Sequence, residues 1–353
     1  MKIKKQLSFY ITIAVILSVL YIIFSIQPIG KEFQFTPEWK IDVSNPTIKE
    51  NKNNSSVNYF KLSQTAGYFT SDGEVTNFIT FPYKASISDY YYTSYNSNNT
   101  STDFFTPDGT KKGTITQSGF PMIVEDRIFV FLPGGSSFVK CKEDGSKDWE
   151  YDSTCPITAF YSAKNALVAG YADGTIVHFT NKGDVIQKFQ PGGSDYPVIL
   201  AASLSNDGSY IASVSGQNRQ RFVLAKKEGA QTKIVFHEYF PTNTKVQQIV
   251  KFSSDDRLCF YTFENSAGIV DIKKKKSTHI PINGSAVSLK ESKDCFFLLT
   301  KKQKTYSVYI IEKFTSYTGC FQFQSDAAFI ETDEENLYVG KNSTISKIKI
   351  SKE

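Results

Sequence analysis

Three histidines and five cysteines are the chain's main stock of nucleophiles, general bases and soft metal ligands. His178 lies in TIVHF, His237 in IVFHEYF and His279 in STHIPI. A metal centre needs several such ligands close together, and an activated nucleophile needs a base beside it. None of the histidines has a partner at metal-ligand spacing, and each sits in or beside a run of strand-forming residues. Cys141, Cys155, Cys259, Cys295 and Cys320 are odd in number, widely spaced and form no CxxC pair, so no zinc or thioredoxin-type motif is present. Cys259 and Cys295, within LCFY and DCFFLL, read as buried apolar strand residues. No GxSxG, HExxH, P-loop or GxGxxG occurs. A quinone enzyme would carry a metal-binding carboxylate cluster and more than two Trp. The sequence predicts no catalytic residue, no metal ligand and no cofactor, hence a non-enzyme.

One stretch suits binding instead. Asp89 opens a run with Tyr90, Tyr91, Tyr92 and Tyr95 that leads into a polar Asn/Ser/Thr segment. Tyrosines give large contact area at low entropy cost, so these four form the candidate interaction loop. Lys273 to Lys276 read as a solvated turn between two strands. A net charge of +5, without a basic-aromatic repeat, predicts no nucleic-acid partner.

The elements that position these residues are nearly all strands. Tyr 20 and Phe 29, with many Thr, Ser, Val and Ile, favour sheets. The exception is LSFYITIAVILSVLYIIFSI at 7–26, which has no charge and no Pro. As a helix it would be ~30 Å long, the thickness of a bilayer core. Lys2, Lys4 and Lys5 precede it, so the positive-inside bias predicts a cytoplasmic stub at 1–6, a transmembrane signal-anchor at 7–27 and an extracytoplasmic remainder at 28–353. A cleaved signal peptide would have a shorter apolar run and a small-x-small site.

Past residue 30, short runs of Val, Ile, Phe and Tyr alternate with turn dipeptides such as Asp72-Gly73, Asp108-Gly109, Asp144-Gly145, Asp173-Gly174 and Asp207-Gly208. The most apolar run of each unit can be followed through Phe78, Phe129, Val168, Ala212, Cys259, Phe297 and Tyr338. The steps are 51, 39, 44, 47, 38 and 41 residues. Such a period belongs to four-stranded propeller blades, and seven markers predict seven blades.

PEWKIDVSNP at 37–46 repeats the plan of KDWEYDSTCP at 147–156: Trp39, Asp42 and Pro46 match Trp149, Asp152 and Pro156. The segment around Trp39 therefore reads as the last strand of a blade that has no preceding strands, while the final unit, 327–350, has room for only three. The expectation is ring closure by an N-terminal strand at about 33–43, with Trp39 and Trp149 packing their blades. Phe33, Phe35, Trp39 and Ile41 should then share one face of that strand.

The Ser/Asn-Asp-Gly turns (Ser71-Asp72-Gly73, Asn206-Asp207-Gly208) and Trp149 after the Gly145 turn resemble the WD-repeat-like and quinoprotein-like β-propeller superfamily over residues 32–350. The resemblance implies an all-β propeller, which the marker count makes seven-bladed; no cofactor or activity carries over, since Gly-His and Trp-Asp dipeptides are absent and the quinoprotein-type Trp signature appears in only two units. The expected function is a membrane-anchored, non-catalytic protein-interaction scaffold in a cell-envelope complex, by analogy with propeller components of outer-membrane assembly machinery. Its partners would be the membrane, through 7–27, and one or more envelope proteins. The N-terminus would be cytoplasmic and the propeller periplasmic or extracellular. Alternatives are a propeller hydrolase, lyase or cofactor-dependent dehydrogenase with its site in the central channel, and an extracytoplasmic ligand-binding sensor.

Overall fold

The computed structural model describes residues 12–21, 33–51, 56–96, 98–229, 231–313, 317–333 and 335–352. Apart from a helix at 12–21, its regular structure is all strand, 31 strands in eight antiparallel sheets among the described residues. Sequence-adjacent strands pair in order within each sheet. Blade one spans 57–80, two 84–115, three 120–151, four 157–189, five 199–239, six 250–281, seven 285–324 and eight 328–352. Strand Phe33–Asp42 adds to the outer edge of blade eight, beside Thr344–Lys352.

The apolar residues explain why the sheets close into a ring. Most interior strands bury both faces, so alternate side chains pack against different neighbours. Eight hydrophobic clusters result, one at each seam. In chain order the seams one–two to seven–eight hold clusters around Phe81, Ile123, Phe129, Ile199, Val250, Phe296 and Ile330. The eighth cluster joins Phe60 and Phe69 of blade one to Tyr338 and Ile345 of blade eight. A ring without a free sheet edge at its junction avoids edge-to-edge aggregation.

Seven blades are thus corrected to eight. The missed unit is blade two. Its second strand, Tyr92–Tyr95, is YTSY, without an aliphatic residue, and the step of 51 passed over it. Phe78, the marker of the first unit's most apolar run, belongs to the outer strand Val75–Thr80 of blade one. Blade one has only three strands, Val57–Leu62, Thr65–Thr70 and Val75–Thr80. On its outer edge, the Lys49 amide donates to the Val75 carbonyl at 2.8 Å. The seam between blades one and two is the thinnest, with Ala66, Phe81 and Ala85 as its buried core.

The closing strand does not present a single apolar face. A bulge between Pro37 and Trp39 inserts one residue and reverses the side-chain parity. Phe33 and Phe35 pack toward blade seven, where Phe35 meets Phe297 edge-on at 6.5 Å. Trp39 and Ile41 pack toward blade one, where Trp39 meets Phe69 at 6.2 Å. One strand therefore serves both seams of blade eight.

The expected transmembrane anchor is also corrected. Within the predicted segment, the described residues 12–21 are helical. No helix among the described residues is long and apolar enough to cross a membrane. The single-pass location and the membrane as a partner through 7–27 fall with it. The stub at 1–6 and the flanks of the predicted segment, 7–11 and 22–27, lie outside the described residues.

Candidate functional site

At most seams the first strands of neighbouring blades lie side by side. In blades two to eight they start at one face, here the upper, and end at the other, the lower. Their lower ends gather charge from residues roughly forty positions apart in sequence. Lys290 of blade seven pairs with Glu331 of blade eight at 2.5 Å, and its ammonium lies 5.5 Å from the Tyr59 ring of blade one. Burial alone would lower the Lys290 pKa, but Tyr59, Glu331 and Asp89 more than offset this and raise it. Asp89 of blade two, with its surface partly open, is crowded by protein and by Glu331. Against the pull of Lys290, and with a push from Glu125, its carboxyl rises to about 6. Burial likewise raises the Tyr59 hydroxyl.

Beside this cluster, blades six, seven and eight enclose a cleft of about 670 Å³ lined by Lys251, Ser254, Glu291, Lys293, Lys313 and Asp333, among others. Its centrepiece is a buried ion pair, Lys313 to Glu291 at 2.6 Å, with side chains only 8% and 10% exposed. The Ser254 amide donates to both Glu291 oxygens at 2.9 and 3.0 Å, and Thr332 Oγ1 donates to the Glu291 carbonyl at 3.0 Å. Asn206 of blade five donates to Asp256 and Ser254 of blade six. Ser88 of blade two donates to the Glu125 carbonyl of blade three. These bonds tie blade to blade, so most lower-face carboxylates are engaged internally.

The upper face is different. Around blade five, Tyr196, Tyr239 and Val246 are exposed large side chains. The guanidinium groups of Arg219 and Arg221 both lie 5.4 Å from the Tyr239 ring. Arg221 is buried and donates to the Pro191 and Gly192 carbonyls at 2.5 and 3.1 Å. Gly193 has φ +86°, and a Cβ there would also meet that guanidinium at 2.6 Å, so glycine is favoured at this position. Buried Gln220 donates to the Gly216 and Thr244 carbonyls and accepts from the Thr244 amide. The patch is therefore held on fixed backbone. Nearby, Gln247 donates across to the Thr158 carbonyl of blade four at 2.8 Å, beside a smaller opening of about 250 Å³.

The Tyr run is mostly strand packing. Tyr92 is buried and stacks on Phe105 at 5.3 Å, Tyr91 meets Phe104 edge-on at 5.4 Å, and Tyr95 is half-buried. Tyr90 alone of the four is exposed. The two tryptophans sit at seams, where Trp39 donates to the Ser71 carbonyl and Trp149 to the Asn181 carbonyl, both at 3.0 Å. Lys273 to Lys276 are exposed in and beside the turn after strand Ser266–Asp271.

The histidines remain apart from each other. Buried His178 finds no partner for either ring nitrogen, and burial followed by Lys227 lowers its pKa to about 4. His279 has a neighbour that sequence reasoning missed: its Nε2 lies 2.5 Å from Glu238 and 3.2 Å from the Tyr261 hydroxyl. Ser277 also donates to Glu238, so its hydroxyl faces a carboxylate rather than the imidazole. Burial pushes the thiols of Cys141 and Cys295 up to about 12. Among the described residues no group of three or more His, Cys, Asp and Glu side chains is placed to share a metal ion.

Comparison with known proteins agrees with this architecture. An uncharacterized protein of Treponema pallidum (strain Nichols) is 26% identical over 362 residues, covering 99% of this chain and 96% of that one. BamB from Moraxella catarrhalis is similar in structure, with a TM-score of 0.59 at 10% identity, over 90% of this chain and 100% of that one. Sqt1 of Saccharomyces cerevisiae gives a TM-score of 0.62 at 11% identity, over 90% and 99%. At such identities the two structures speak for the fold alone. A family described as beta-propeller protein matches residues 1–353, and the chain belongs to that family.

Proposed function

We propose that this ring is a non-catalytic scaffold that binds another protein through its upper face. The observation that carries the reading is the patch of Tyr196, Tyr239 and Val246 beside Arg219. Tyrosine and arginine are the residue types that anchor interfaces, and a pre-ordered patch loses little entropy on binding. Arg219 is exposed, and Lys245 stands next to Val246. A partner with an acidic rim around an apolar or aromatic centre complements this surface.

Affinity capture of the full chain, with a Tyr196→Ala/Arg219→Ala variant alongside, tests the reading. The native protein should bring down a stoichiometric partner, and the variant should lose it while melting at the same temperature. Recovery of the protein alone, or equal capture by both, would overturn the proposal.

A further inference from the structure

We propose that the lower-face cleft between blades six, seven and eight binds an oxyanion, a carboxylate or a phosphate, through Lys251 and Lys293. The inference is independent of the upper-face scaffold. Most charged groups in the cleft are already engaged. Glu291 is taken by Lys313 and by Ser254. Asp333 accepts from the Glu335 and Asn336 amides, the Asn336 side chain and the Tyr338 hydroxyl. Asp255 turns Oδ1 back to Ser253 and the Arg257 amide. None of these carboxylates lies within ion-pair distance of Lys251 or Lys293. Lys313 and Lys290 have their counter-charges in Glu291 and Glu331.

Among the described residues two ammonium groups of the cleft are left. Lys251 is half-buried in the cleft wall and has no hydrogen bond or ion pair among the described residues; Lys293 is exposed at the rim. A desolvated ammonium without a counter-ion is costly, and a bound anion relieves that cost. Burial and the like charge of Lys290 lower the Lys251 pKa, against smaller opposing pulls from Glu291 and Glu331. Lysine meets phosphate or carboxylate as a point charge, and about 670 Å³ leaves room for a molecule larger than the anion itself.

The test uses the full chain and two probes, inorganic phosphate and N-acetylglutamate, each compared with sodium chloride at matched ionic strength. At ten times its Kd, a binding probe should raise the melting temperature by about 2 °C or more. Which probe acts distinguishes phosphate from carboxylate. Lys251→Met, of similar volume, should melt higher than the native chain without ligand and bind at least tenfold more weakly by calorimetry. Lys293→Gln, at an exposed position, should fold normally and bind severalfold more weakly, which keeps the test open if Lys251→Met does not fold. No response to either probe beyond the chloride control would overturn the proposal, as would undiminished affinity in Lys251→Met or, if that variant does not fold, in Lys293→Gln.

Discussion

Trp39 and Trp149 make the same bond across different seams: each indole N–H donates at 3.0 Å to a carbonyl 32 residues further along, Ser71 and Asn181. Each ring also covers a turn glycine of the next blade, Gly73 for Trp39 and Gly183 for Trp149. Both rings are half-buried, so removal costs less than in a full core, about 2–3 kcal/mol for Trp→Ala. Trp39→Phe keeps an aromatic ring and loses the hydrogen bond, at about 1 kcal/mol. Chemical denaturation should rank Trp39→Ala well below Trp39→Phe. A chain beginning at residue 45 lacks the whole closing strand and should melt lower than either.

The two glycines should not tolerate alanine equally. Both have positive φ, +83° at Gly73 and +91° at Gly183, so alanine is strained at each. At Gly183 the new methyl would also lie 2.7 Å from the Trp149 ring, against 3.1 Å from Trp39 at Gly73. Gly183→Ala should therefore destabilise more, by about 1–3 kcal/mol. Paired denaturation curves check the order.

Asp89 should give the ring an acidic stability optimum of its own. Its folded pKa of about 6 exceeds the unfolded value of about 3.9. Between these values the native state holds more protons, so this group's contribution to stability falls as pH rises. The penalty is fully present above pH 6 and gone below about pH 4. Asp89→Asn should raise the melting temperature at pH 7.5 and leave it unchanged near pH 4. Water at the mouth screens the effect, which stays under about 1 kcal/mol.

The Lys313–Glu291 pair should behave as a buried pair. Glu291→Gln leaves a buried ammonium uncompensated, and single removal of a buried partner costs about 3–5 kcal/mol. Replacing both, as Lys313→Met/Glu291→Leu, removes the charge problem and should recover most of that loss. A double-mutant cycle in urea measures the coupling.

The seam between blades one and two should open first. Its buried core is Ala66, Phe81 and Ala85, whereas the seam between blades five and six buries a continuous layer from Val198 to Ile272. Hydrogen exchange should be faster in Val57–Leu62 and Lys84–Ile87 than in Tyr210–Ser215.

Local pattern revealed what local pattern controls. Alternating Val, Ile and Phe runs and Asp-Gly turns mark the strands, and the Trp39/Trp149 parallel marks the strand that pairs with Thr344–Lys352. Blade two was hidden because Tyr92–Tyr95 is short and carries no aliphatic residue. The parity reversal at the Pro37/Trp39 bulge leaves no trace in a spacing of two. The lower-face cluster was invisible for another reason. Tyr59, Asp89, Lys290 and Glu331 stand in separate blades, and ring closure brings them together. His279 and Glu238 meet between the outer strands of consecutive blades, which needs no ring closure but is equally absent from local pattern.

Closure also sets a clock. Strand Phe33–Asp42 must wait for Thr344–Lys352, about 300 residues downstream. At about 5–20 residues per second, ribosomal synthesis separates them by roughly 15–60 s. Throughout that interval Phe33, Phe35, Trp39 and Ile41 have no native partner in blade eight, and the nascent chain carries an unsatisfied strand edge. Blade eight is thus the last unit that can assemble. The same long-range pairing that seals the finished ring makes the newborn chain depend on whatever shields its first strand.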